Sequence, residues 1–132
     1  MNLSLSANPL NITEQTYGIG SRIHFSNFTS CIGLVARCKD AQLIGVHLVL
    51  VPEGHGGPML PNDVGMVGAV LTRLGYVPDT LHIVGYCDIW NKSAQQTLTE
   101  LAKLGRDTEF IQEGDQKKYG AHLLQGKIEI TH

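Results

Sequence analysis

Leu43-Ile44-Gly45-Val46-His47-Leu48-Val49-Leu50-Val51-Pro52 is the stretch on which the reading of this chain turns. It is apolar at odd and even positions alike. A strand built from residues 43–51 is therefore buried on both faces and belongs at the centre of a sheet. Its one polar side chain, His47, shares a strand face with Gly45 and Val49, because side chains alternate along a strand. Gly45 has no side chain and leaves room beside the imidazole. Sixteen residues before His47 stands Cys31, within Asn27-Phe28-Thr29-Ser30-Cys31-Ile32-Gly33.

Working outward, Ile23 and Phe25 alternate with Arg22, His24 and Ser26, which predicts a strand over residues 21–28. Residues 31–38 read as a second strand or a tight turn entering one, and Lys39-Asp40-Ala41-Gln42 as a turn. Residues 52–62 hold three glycines and three prolines and read as a loop. Asn62 is a candidate N-cap. The helix after it puts Val64, Val67, Val70, Leu71 and Leu74 on one stripe and stops at Gly75. Thr80–Gly85 reads as a strand. A second helix starts at Asn91 or Ser93 and turns Leu98, Leu101, Ala102 and Leu104 to the core before Gly105. Glu109–Ile111 is a short strand, and residues 121–125 and 127–131 form a hairpin around Gly126. Residues 1–19 are polar and read as a flexible arm or a peripheral strand. The fold class is α+β: a β-sandwich-like strand core flanked by two main helices, in a single domain over residues 1–132.

Composition narrows the function. The chain has 132 residues, enough to bury roughly two-thirds of its unfolded surface. Formal net charge is -2, which gives no electrostatic case for nucleic acid or an anionic membrane. No apolar run nears the ~20 residues of a membrane span, and the first residues lack the pattern of a signal peptide. Three cysteines at positions 31, 38 and 87 make an odd, scattered set, which points to a reducing, cytoplasmic setting rather than a disulfide framework. None of the six histidines shows a tight metal spacing, so neither a metal nor another cofactor is expected.

A cysteine among small polar residues, with a histidine fixed on a rigid strand, is the minimum equipment for thiolate nucleophilic catalysis. The imidazole takes the thiol proton. Cys31 is the candidate nucleophile and His47 the candidate base; Cys38 and Cys87 read as structural. The bland alternative for each is a buried apolar cysteine and a satisfied core histidine. The third group, which positions the imidazole, could be Ser26, Asn27, Thr29 or a backbone carbonyl.

Thr29-Ser30-Cys31, followed by Gly45-Val46-His47-Leu48-Val49-Leu50-Val51-Pro52, resembles the CheD family of chemoreceptor glutamine deamidases. Downstream, Leu74-Gly75, Leu81–Gly85, residues 91–105 and Gly126-Lys127-Ile128-Glu129-Ile130 follow that family's layout. The resemblance spans about residues 20–131. It implies the α+β fold that the family shares with the cytotoxic necrotizing factor toxins. It also implies Cys–His hydrolysis of a protein glutamine side chain in chemotaxis, without cofactor. The family threonine six residues before the cysteine is Phe25 here, with Ser26 one residue off, so Ser26 leads as the third catalytic group. Thr29, Ser30, His55 and Gly56 of the loop, and Tyr86 at a strand–helix junction are the candidate substrate contacts. Two other readings go with the resemblance. One is a catalytically silent CheD-like protein that binds a partner. The other is a toxin-like deamidase or transglutaminase acting on proteins in a host cytosol.

Overall fold

A computed structural model describes residues 1–112 and 118–132. Among these residues, nine strands and three α-helices make a mixed α+β fold. A six-stranded sheet runs in the order β1-β2-β5-β4-β6-β7, from β1 (Ser4–Leu5), β2 (Thr16–Gly20), β4 (Ile32–Arg37), β5 (Leu43–Leu48), β6 (His82–Gly85) and β7 (Glu109–Ile111). A three-stranded antiparallel sheet holds β3 (Arg22–His24), β8 (Gly120–Leu124) and β9 (Lys127–Thr131), in the order β3-β8-β9. Gln125 and Gly126 both have positive φ, 53° and 79°, the backbone that a two-residue hairpin turn requires between β8 and β9.

Each face of the large sheet has its own cover. Ile32, Leu34 and Ala36 of β4 and Ile44, Val46 and Leu48 of β5 pack against α1 (Val64–Arg73), α2 (Cys87–Ser93) and α3 (Gln95–Ala102). The alternate residues, Val35 and Leu43 with Cys31 just ahead of β4, pack against Ile23, Phe25, Phe28, Tyr119 and Ala121. The continuous apolar run of β5 is thus explained: it is hydrogen-bonded on both edges and covered on both faces.

Several boundaries differ from the sequence expectation. The strand expected to reach residue 51 stops at Leu48. Beyond it, the side chain of Gln15 accepts the Val49 N–H and the Leu50 carbonyl accepts the Met59 N–H, so the backbone bonds leave the ladder. The second helix starts earlier, at Cys87, and is broken at Ala94, where φ is -148° and ψ 48°. Asn91, Lys92 and Ser93 precede the break, and short polar side chains compete for helix backbone bonds. Residues 1–19, read as a flexible arm or a peripheral strand, contribute β1 and β2, and β2 lies inside the sheet between β1 and β5, with Thr16 beside His47. Helix α1 ends as expected. Tyr76 N–H bonds the Leu71 carbonyl and Gly75 N–H the Thr72 carbonyl, with Gly75 at φ 71°, a Schellman cap.

Gly85 is where the fold leaves least freedom. Its φ is 109°, and a Cβ there would lie 2.7 Å from the Cys31 carbonyl oxygen and from Phe28 Cδ2. Gly85→Ala should therefore lower unfolding free energy by about 1–3 kcal/mol, from backbone strain alone. Gly57→Ala, with open space around it and no positive φ, should change stability by less than about 0.5 kcal/mol. Urea unfolding of both variants checks the contrast.

Candidate active site

His47 occupies the middle of three strands. Its backbone pairs with Thr16 on β2 and with Gly33 on β4. Its side chain is fully buried, on the face toward the small sheet, between Phe28 (ring centroids 4.7 Å apart) and Phe25 (5.8 Å, edge-on). The space that Gly45 frees beside it is taken: a Cβ there would meet Ile23 Cδ1 at 2.7 Å and Ile12 Cδ1 at 2.8 Å. Gly33 is filled in the same way by Phe25, 2.8 Å from where its Cβ would stand.

The imidazole has one tautomer. Nδ1 lies 2.9 Å from the Ile12 carbonyl oxygen, which can only accept, so Nδ1 carries the proton and donates it. Nε2 is then the lone-pair nitrogen. It is buried without a hydrogen-bond partner among the described residues. Ser26 Oγ is 3.4 Å from Nδ1, the longer of the two contacts. The Ile12 carbonyl also accepts the Ser26 N–H at 2.9 Å, which ties the serine, the carbonyl and the ring together. Gln15 N–H donates to the His47 carbonyl at 2.8 Å. Residues 12–15, read from sequence as part of a possible arm, are thus the strap that sets the histidine.

Cys31 precedes β4 on the same sheet face as His47, in one apolar cluster with Phe25 and Phe28. Gly33 is the direct cross-strand partner of His47, and Cys31 lies two residues from Gly33. The pair is therefore diagonal, about 7–8 Å apart between backbones, and among the described residues no hydrogen bond joins Cys31 Sγ to the imidazole. The segment carrying Cys31 is held from three sides. Trp90 Nε1 donates to the Ser30 carbonyl at 2.8 Å, Tyr86 N–H donates to the Cys31 carbonyl at 3.0 Å, and Gly85 lets that carbonyl approach.

Both groups are closed off from solvent: Cys31 is 2% exposed and His47 0%. Phe28 covers the ring, and Tyr119 stacks on Phe28 at 5.4 Å. Burial pushes the Cys31 thiol above its ordinary 9.0, against the pull of backbone hydrogen bonds from Thr29 and Ser30. Burial also pushes His47 below its ordinary 6.5, against its bond to the Ile12 carbonyl. The charge of exposed Glu14 raises both, by less than burial shifts either. The closed site at neutral pH is a neutral thiol beside a neutral imidazole, not an ion pair. Cys38 and Cys87 are buried too, and Cys87 is pushed up to about 11 by burial.

Of the candidate substrate contacts, the structure brings Ser30 and Tyr86 to the cysteine through their backbones, and Thr29 is exposed next to them. It does not bring His55 there. His55 Nε2 lies 2.9 Å from Asp63 Oδ2, a close contact off the hydrogen-bonding axis of the ring. Gly56 is exposed with nothing near it. The loop around them is anchored on the helix-bearing face, where Met59 is buried and Thr97 Oγ1 donates to its carbonyl at 2.6 Å. The Ile12 carbonyl, Trp90 and Gly85 carry the site, and sequence gives little sign of the first, since any residue has a carbonyl. Among the described residues no group of three metal-ligating side chains exists, and no helix is long and apolar enough to cross a membrane. No protein-family model matches the chain, and no curated protein matches it.

The buried histidine fixes a pH dependence. The unfolded chain takes up a proton on this imidazole below pH 6.5, whereas the folded chain resists it. Stability contributed by the neutral ring is therefore present above 6.5 and is lost as pH falls. The raised thiols act at the other end: unfolded thiols ionise near 9.0 and folded ones do not, so stability falls above that pH. Unfolding free energy should be greatest between these limits. His47→Gln should flatten the slope between about pH 5 and 6.5 and leave the alkaline limb in place, as read by denaturant melts across pH.

Proposed function

We propose that this protein is a CheD-like, cysteine-dependent amidohydrolase that converts a protein-bound glutamine to glutamate. The observation that carries this reading is the tautomer of His47. With Nδ1 spent on the Ile12 carbonyl, Nε2 is an unpartnered proton acceptor on the sheet face of Cys31. A buried acceptor left unpaired costs about 1–3 kcal/mol, and a base awaiting a thiol proton accounts for that cost. In the reaction, Nε2 takes the thiol proton as Sγ bonds to the carboxamide carbon. The imidazolium returns that proton to the departing nitrogen, ammonia leaves, and a thioester remains. His47 then removes a proton from water, the hydroxide adds to the thioester, and glutamate and free thiol are released. The third catalytic role falls to the Ile12 carbonyl, with Ser26 held beside it. The resemblance makes a chemoreceptor the first substrate to try.

Turnover by this route requires the cover over Cys31 to open, and the complete burial of both groups favours a second reading. In it the protein is a silent CheD-like member that binds a partner, with the pair kept as core. Chemistry separates the two. As an enzyme, the wild type should release ammonia from a glutamine-bearing receptor segment. Cys31→Ser should abolish that release with the fold intact by circular dichroism. His47→Gln should lower it by at least about a hundredfold. A haloacetamide should label Cys31 ahead of Cys38 and Cys87. Undiminished release by Cys31→Ser would sink the cysteine-dependent reading, and absence of both release and selective labelling would leave the binding protein.

A further inference from the structure

The small sheet carries polar groups that this chemistry leaves unused. On its outward face the register sets Arg22, His122 and Glu129 in one row, and His24, Gly120 and Thr131 in the next. Ile23 and Ala121, between the rows, belong to the core on the other side. Gly120 makes the second row a notch: a Cβ there would lie 2.9 Å from both His24 Cδ2 and Thr131 Oγ1. The imidazole and the hydroxyl thus lean over bare backbone. Arg22, His24, His122 and Thr131, with Leu10 as apolar wall and Ile23 between the rows, line a groove of about 440 Å³.

The lining donates far more than it accepts. A guanidinium has five N–H donors and no acceptor, each imidazole keeps at least one N–H whatever its charge, and the hydroxyl adds another. Arg22 has no ion-pair partner among the described residues. Glu129, in the same row, lies 4.0 Å from His122 Nε2 and is half exposed. A fixed cation beside two imidazoles, with so little opposing charge, is complementary to an anion of several acceptor oxygens. We propose that this groove binds a phosphate dianion, free or as the phosphomonoester of a small organic molecule whose apolar part rests on Leu10. Arg22 spans two oxygens with its planar fork. His24, His122 and the Thr131 hydroxyl serve the third.

The test follows the ring protons of His24 and His122 by NMR as inorganic phosphate, then phenyl phosphate, is added to the intact protein at constant ionic strength. Both rings should shift saturably with phosphate and not with chloride. Arg22→Gln, a change at an exposed position, should weaken the affinity by about tenfold or more, the loss expected for one charged hydrogen-bonding group. Thr131→Val should weaken it less. Tighter binding of phenyl phosphate would identify a phosphorylated organic ligand, and equal binding would identify free phosphate. Shifts that do not saturate, that chloride reproduces, or that persist unchanged in Arg22→Gln would overturn the site.

Discussion

The constraint behind the whole structure is that β4 and β5 are apolar on both faces. A strand of that kind is stable only if two separate layers cover it, since each face left in water forfeits about 25 cal/mol for every Å² of apolar surface. The helices cover one face, and the three-stranded sheet covers the other. The second layer sets the problem that the candidate site answers. It closes over His47, and a buried imidazole must find a partner for its N–H.

That partner comes from the chain's first segment rather than from a charged side chain. The Ile12 carbonyl accepts the Nδ1–H hydrogen bond, and the Gln15 N–H donates to the backbone carbonyl of the same histidine. A neutral acceptor fixes the ring without making it more basic than burial allows. His47 accordingly stays neutral, and so does Cys31, while the cover of Phe28 and Tyr119 is in place. In the deamidase reading, the closed state is a resting state. Opening admits water and substrate, relieves the desolvation that holds both groups neutral, and lets the proton pass from sulfur to nitrogen.

Glycines let this arrangement pack. Gly33 and Gly45 flatten the sheet where Phe25, Ile12 and Ile23 lie against it, and Gly85 lets the Cys31 carbonyl and Phe28 sit directly on β6. Gly45, adjacent to His47 on its strand face, would leave open room beside the imidazole if nothing filled it. The room went to core side chains instead, because a void on a covered face would lose the contacts of its lining.

The sequence by itself determined the period of each element and therefore its type. The two-sided apolar run at residues 43–48, the striped helix ending at Gly75 and the hairpin around Gly126 are all local patterns, set by backbone geometry and side-chain burial. It also marked Cys31 and His47 by residue type and spacing, while the strand register that sets them on one face came from the assembled sheet. Only the tertiary structure decided what surrounds them. A backbone carbonyl has no sequence signature, so nothing marked Ile12. The anchoring of Trp90 on Ser30 spans sixty residues. The His55 loop went to the helical face because Met59 found its burial there, a preference that depends on the assembled core and on no local pattern.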